Sequence, residues 1–281
     1  MKISNNSIRL KQNHIEKLFS NSSRFKREKY FYLKFKNESL NIPRVIKLYK
    51  KKILFEKYKF QKLSSQKKFF DALLIFLIKT NQYNNYKIFA KENLISYKIL
   101  KNQIKKRFDL IANLKVEKKY SKKLKKIKEY IHSILFEKQT NIKLKMKKNI
   151  ISQSDIGFHN CGILKNKVYF YDFEYSGLDN PIKLICDVYY QPEKRINKII
   201  MLKFIKNLEK KFKFKIPENF LIFEKLLKVK MMLIILNIFI NSNIKKNTKF
   251  INKRKLEKIK FKRINKVYKY ISIPFLYEHK K

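Results

Sequence analysis

Glycine is nearly absent from this 281-residue chain, which holds three, together with five prolines, two cysteines and no tryptophan. The two cysteines, Cys161 and Cys186, match neither a zinc-ligand spacing nor a disulfide framework, and a reduced, cytoplasmic setting fits them. Residues Met1 to Ser20 lack the apolar core that a signal peptide needs. The longest greasy run, Met231 to Ile240, is interrupted by Asn237 and falls short of the about 20 residues that span a bilayer, so it reads as a buried helix. Acidic residues are scarce too: 21 stand against 70 Lys and Arg, for a formal charge of +49.

What is present excludes a disordered chain. Hydrophobic residues make up 44% of the sequence, with 24 Phe and 17 Tyr, enough to bury a sizeable core in one domain or two lobes. The charge has two readings. One is a nucleic-acid or anionic membrane surface. The other is composition, because Lys, Asn, Ile, Phe and Tyr, the residues of A- and T-rich codons, are all abundant. Lysines run from Lys2 to Lys281 instead of clustering, which favours composition. Nonspecific, salt-sensitive contact with polyanions remains the expectation.

Residues 1–58 read as mixed α/β. Ser7 to Lys11 is a short strand, Ser23 to Phe35 a helix, and Val45 to Leu48 and Lys52 to Glu56 form two strands around a lysine-rich turn without glycine. The aromatic-basic run Lys29 to Lys34 could stack bases, but reads better as the core face of that helix. From residue 59 the period is helical: Ser65 to Thr80, Lys91 to Leu114 and Val116 to Lys138, then a polar connector from Gln139 to Lys148. After Pro181 come helices over 181–190, 194–213, 218–243 and about 252–270. This divides the chain into a small lobe, 1–58, and a larger helical lobe, 59–281.

Residues 150–180 differ in kind. All three glycines, Gly157, Gly162 and Gly177, lie there, and four of the six aspartates, Asp155, Asp172, Asp179 and Asp187, lie between 155 and 187. Glycine in a chain that avoids it suggests a backbone geometry that other residues resist. Ile163 to Leu164 and Val168 to Tyr171 read as two strands joined at Lys165-Asn166-Lys167. Asp155 is followed five residues on by Asn160, and twelve after that by Asp172 at a strand end. Phosphoryl transfer from a nucleotide needs a carboxylate to receive the acceptor's proton, and hard oxygen ligands for magnesium on the phosphates. Asp155 suits the first task, and Asn160 with Asp172 the second.

The stretch Asp155 through Asp187 resembles the catalytic core of the aminoglycoside phosphotransferase and choline kinase superfamily. Its usual loop reads like His-Gly-Asp-Leu-His-Pro-Gly-Asn, then a hairpin and Ile-Asp-Phe-Glu. The resemblance is clear over about 150–240. It implies an α+β, protein-kinase-like fold with a small β-containing lobe, and an ATP- and Mg2+-dependent kinase acting on a hydroxyl of a small molecule such as choline, ethanolamine, an amino sugar or another sugar. It makes Asp155 the catalytic Asp, Asn160 and Asp172 the metal ligands, and Asp187 a buried support in a structural helix. Glu174 is either a magnesium or substrate contact or a structural salt bridge. His159 is either a site residue or packing beside Asn160. Cys161 has no histidine arrangement that would make it a nucleophile.

The chain departs from the pattern in Gln153, where the loop usually has His, and in Gly157-Phe158-His159. No glycine precedes residue 157, although the family covers the phosphates with a glycine-bearing loop. Lys11 is the best match to the phosphate-binding Lys and Glu28 to its helix partner. Adenine is expected near Phe55 to Tyr58, with Glu56 among the nucleotide-binding residues. Ten residues precede Lys11, so the expected cover is reduced and the nucleotide exposed, or else translation starts upstream. A basic nucleic-acid-binding protein and a catalytically degenerate kinase-fold scaffold are the competing functions.

Overall fold

The computed structural model describes residues 6–36, 38–82, 85–94, 96–114, 116–137, 142–146, 148–240 and 252–277. The chain forms two compact units, one of residues 1–93 and 148–215, the other of residues 94–147 and 216–281. The expected boundary at residue 58 therefore lies inside the first unit.

The first unit opens with a four-stranded antiparallel sheet in the order β1-β2-β4-β3, built from β1 (Ser7–Leu10), β2 (His14–Leu18), β3 (Val45–Tyr49) and β4 (Lys52–Glu56). Left-handed Lys51 (φ 60°) makes the β3–β4 turn without glycine. The strand β2 has no clean apolar alternation, because its buried position is Lys17. Between β2 and β3 runs α1 (Ser22–Lys34), whose N-cap Asn21 accepts from the amides of Ser23 and Arg24. Its Phe31 ring stacks on Phe173 at 3.9 Å between centroids, and Phe76 of α2 (Gln66–Thr80) lies parallel on the same ring at 6.0 Å. Truncating the fully buried Phe173 to Ala would cost about 3–5 kcal/mol.

Two further ribbons carry the region of the candidate site. The pair β5 (Ile150–Ser152) and β8 (Gly177–Asp179) is antiparallel, as is the hairpin β6 (Cys161–Leu164) and β7 (Lys167–Phe170), turned by left-handed Lys165 and Asn166. Gln61 and Ile163 exchange two main-chain hydrogen bonds of 2.9 Å, tying the segment after the sheet to this hairpin. Pro181 then starts α5 (Pro181–Tyr189), and α6 (Lys198–Phe212) packs on α2.

Helix was expected from Lys91, but residues 88–90 are extended beside β8: Leu178 donates to Ile88 at 2.8 Å and Ala90 to Leu178 at 3.0 Å. Gly177 allows this approach, since a Cβ there would collide with the backbone of Phe89 and Ala90. The helix α3 (Tyr97–Ala112) starts where Ser96 caps it.

The second unit contains α3, α4 (Lys118–Leu135), α7 (Phe220–Leu236) and α8 (Lys253–Tyr270), with α3 on α7 and α4 on α8. Leu100, Ile104, Phe108 and Ile111 recur at helical spacing to make the buried stripe of α3. The greasy run from Met231 ends α7 and continues as a short 3-10 turn over Asn237–Phe239. No described helix is long and apolar enough to cross a membrane. Of the polar connector, 139–141 and 147 lie outside the described residues, as do 138 at the end of the expected 116–138 helix and 241–243 at the end of the expected 218–243 helix.

Candidate active site

Every sequence-predicted site residue lies in the first unit. Asp155 and Asn160 face each other: the Asn160 amide donates to the Asp155 carbonyl at 2.8 Å and to its Oδ2 at 3.2 Å. The other carboxylate oxygen, Oδ1, lies 3.1 Å from His159 Nε2. His159 is thus a partner of Asp155. The nearby Gly157 is extended (φ 177°), a conformation open to any residue. It is small for another reason, because a Cβ there would press on the His159 ring at 2.7 Å. Among the three glycines the expected special backbone is found at Gly177 (φ 159°), and non-glycine Ser154 (φ 58°) and Asp172 (φ 71°) share it.

Asp172 reaches this pair through main chain, since the amide of Tyr171 donates to the Asn160 carbonyl at 3.1 Å. The carboxylate of Asp172 accepts from Lys17 Nζ at 2.7 Å, and Lys17 also donates to Glu28 at 2.5 Å. The lysine that meets Glu28 is therefore Lys17, which corrects the expected Lys11–Glu28 pair. Lys11 is exposed at the β1–β2 turn, where its amide bonds the His14 carbonyl. The register slipped by six residues because Lys17 occupies the inward position of β2 that an apolar residue would have marked. Of the chain before Lys17, where the covering loop was expected, residues 1–5 lie outside the described residues.

One cation here serves two acids. Burial alone would lower the Lys17 ammonium, but Glu28 and Asp172 outweigh it and hold the pKa up. Burial pushes the Glu28 carboxyl above its usual range, Lys17 works against this, and the charge of Asp172 adds to it. Glu174 is buried in an ion pair with Arg24 at 3.1 Å and accepts from the Asn6 amide. Carboxylate oxygens of Glu28, Asp172 and Glu174 lie within 4.8 Å of one another. The donors of these three acids are hard oxygens of the kind magnesium takes.

The loop is held from behind. Fully buried Gln153 donates its amide to the Tyr171 carbonyl, in the place of the family's usual His. Lys183 bonds Ser154 Oγ at 2.7 Å, Asp179 at 2.8 Å and Asp187 at 2.6 Å. Asp179 also accepts from the Ser154 hydroxyl at 3.0 Å and is wholly buried, whereas the Asp187 side chain keeps 18% exposure. The buried support of the loop is thus Asp179, with Asp187 acting through Lys183. Glu56, at the end of β4, accepts from the Tyr58 hydroxyl at 2.5 Å and pairs with Arg44 at 3.1 Å; it is not drawn into the acidic cluster. Buried Cys161 has its thiol pushed up to about 12 by burial, which makes it a poor nucleophile.

No protein-family profile and no curated protein matches the sequence. Solved structures do match. A putative aminoglycoside phosphotransferase from Ralstonia eutropha aligns at TM-score 0.63 and 10% identity over 95% of this chain and 92% of its own. The choline kinase LicA from Streptococcus pneumoniae aligns at TM-score 0.58 and 14% identity over 96% and 92%. The ADP-bound aminoglycoside phosphotransferase APH(2'')-Ib aligns at TM-score 0.50 and 14% identity over 96% and 92%. The chain has the protein-kinase-like fold of the aminoglycoside phosphotransferases and choline kinases.

Proposed function

We propose that the protein transfers the γ-phosphate of ATP to a hydroxyl group of a small molecule. What supports this reading is the Asn160–Asp155 side-chain hydrogen bond, the main-chain bond from Tyr171 to Asn160 just before Asp172, and the Lys17 ion pairs with Asp172 and Glu28. The fold shared with an ADP-bound phosphotransferase supports the nucleotide.

In this reading Asp155 orients the acceptor hydroxyl. The hydroxyl oxygen forms a bond to the γ-phosphorus, the bond to the β,γ-bridging oxygen breaks, ADP leaves with that electron pair, and Asp155 takes the proton. Lys17, oriented by Glu28, grips the phosphates. Asp172 and Asn160 would hold Mg2+, which supplies neutralisation of phosphate charge. The segment from Phe55 to Tyr58, with Glu56, lies on the adenine side. The family resemblance suggests choline, ethanolamine, amino sugars or sugars as acceptors. A cytoplasmic setting belongs to the same reading. The surplus of lysine gives only nonspecific polyanion contact, which falls steeply with salt.

ATP consumption by the purified protein with Mg2+, against a panel of those alcohols, tests the proposal. Acceptor-dependent ADP release that is lost in Asp155→Asn is expected. ATP binding without transfer to any acceptor, or no binding at all, would replace the enzyme with a kinase-fold scaffold. Tight, sequence-selective nucleic-acid binding at physiological salt would favour the nucleic-acid reading instead.

A further inference from the structure

Tyr175, three residues past Asp172, carries a cation on its ring from each of two segments. The Arg24 guanidinium lies 4.9 Å from the ring centroid and the Lys91 ammonium 5.2 Å. Arg24 belongs to the first turn of α1, where the helix dipole adds positive potential. Arg27, one turn on, bonds the Phe89 carbonyl at 3.4 Å and so sits against the same 88–91 segment. The main chain joins these parts, since the Lys91 amide donates to the Tyr175 carbonyl at 3.2 Å.

The charges do not balance. Glu174 is committed to Arg24. Among the described residues, Lys91 and Arg27 form no ion pair. Burial lowers the Lys91 ammonium first, and repulsion from Arg24 lowers it further, only partly offset by Glu92 and Glu174. The cluster is short of an anion. It also adjoins the loop of Asp155: Ser152 of β5 pairs with Gly177 of β8, so the chain running on to Asp155 starts alongside the chain that leads back to Tyr175.

We propose that the acceptor is an anionic alcohol, whose phosphate or carboxylate group is bound by Lys91 and Arg27 beside Tyr175 while its hydroxyl faces Asp155. This rests on the phosphotransferase reading and narrows its acceptor class. A quaternary ammonium or an amino sugar would be drawn to an aromatic face. The face of Tyr175 is already taken by two cations, so a third positive charge there is repelled. The site therefore selects against cationic acceptors and in favour of acids.

The test is ATP turnover with glucose, glucose 6-phosphate, gluconate, glycerol 3-phosphate and choline, together with sulfate binding by calorimetry. The charged acceptors should show a KM about 10-fold below that of glucose, with choline poorest, as expected for one charge-assisted contact. Lys91→Gln should raise the acceptor KM about 10-fold, with Lys91→Arg restoring it and the KM for ATP unmoved. Sulfate should bind the wild type more tightly than Lys91→Gln, whereas Lys105→Gln, an exposed lysine of α3, should match the wild type. Preference for choline, an effect of Lys91→Gln on the KM for ATP alone, or sulfate binding indifferent to Lys91 overturns the inference and leaves the kinase standing. Lys91-dependent sulfate binding with no transfer to any alcohol has the opposite meaning: the anion site stands and the phosphotransferase falls.

Discussion

The side-chain amide of Gln153 donates a hydrogen bond to the carbonyl of Tyr171, immediately before the left-handed Asp172. An Asp at φ 71° holds an uncommon backbone conformation, and such residues persist where their surroundings fix them. Gln153 is part of that fixation, from a position with no solvent exposure.

Gln153→Ala removes the donor to the part-buried Tyr171 carbonyl. It should cost about 1–3 kcal/mol in urea denaturation. It should also weaken Mg-nucleotide binding, because Asp172 is no longer held in place. Unchanged nucleotide affinity in a destabilised variant would limit Gln153 to a purely structural role.

Asp155 and Asp172 divide the work in the proposed mechanism. Asp155→Asn should lower kcat by roughly 100- to 10,000-fold with Mg-ATP binding retained. Asp172→Ala should lose metal and nucleotide together. Calorimetric titration of both variants with Mg-ATP decides the matter, and equal loss of binding in the two refutes the division.

Lys17→Met leaves two acids, Glu28 and Asp172, without their shared cation. Removing one member of a buried ion pair costs roughly 3 kcal/mol, and adding Glu28→Gln should recover part of it. Nucleotide affinity should drop with Lys17→Met. Lys11→Met, at an exposed turn, should stay within about 0.5 kcal/mol of the wild type and keep its affinity. The reverse ranking would restore Lys11 to the site.

In the second unit, Glu257 of α8 accepts from Tyr120 of α4 at 2.9 Å and pairs with Lys119 at 3.0 Å and Lys260 at 2.7 Å. Burial works to raise its carboxyl, but Lys260, Lys119 and Tyr120 prevail and pull it down to about 2. A depressed carboxylate stabilises above its unfolded value of 4.5 and loses that contribution as pH falls toward about 2. The site is partly exposed, so Glu257→Gln should cost no more than about 1 kcal/mol at pH 7. The gap to wild type should narrow from pH 4.5 downward and close only near pH 2, and a gap that widens on acidification would show the carboxylate is not held by these cations.

The candidate residues were legible because their spacing survives in one short stretch: Asp155, Asn160, the 161–170 hairpin and Asp172 stand in the order used by the family that the chain resembles. The helices were legible where polar caps such as Ser65 and Asn180 precede a periodic face. What was hidden has a common cause. Lys17 buries a charge where a strand pattern wants an apolar side chain, so the strand that carries it did not read as one. Likewise β5 and β8, of three residues each, are too short to show any period. The contact of His159 with Asp155, the support from Asp179 and the meeting of Arg24 with Lys91 over Tyr175 join segments up to 151 residues apart or turn on side-chain direction, which spacing alone does not report.

The reciprocal hydrogen bonds between Gln61 and Ile163 have a mechanical meaning. Residues 57–61 follow the sheet as a connecting strap, and a free strap would let the sheet swing independently. Here the strap is stitched at both its amide and its carbonyl to β6, which begins immediately after Asn160. A swing of the sheet must either carry the hairpin along or break that pair of bonds, so the sheet edge and the loop bearing Asn160 travel as one piece.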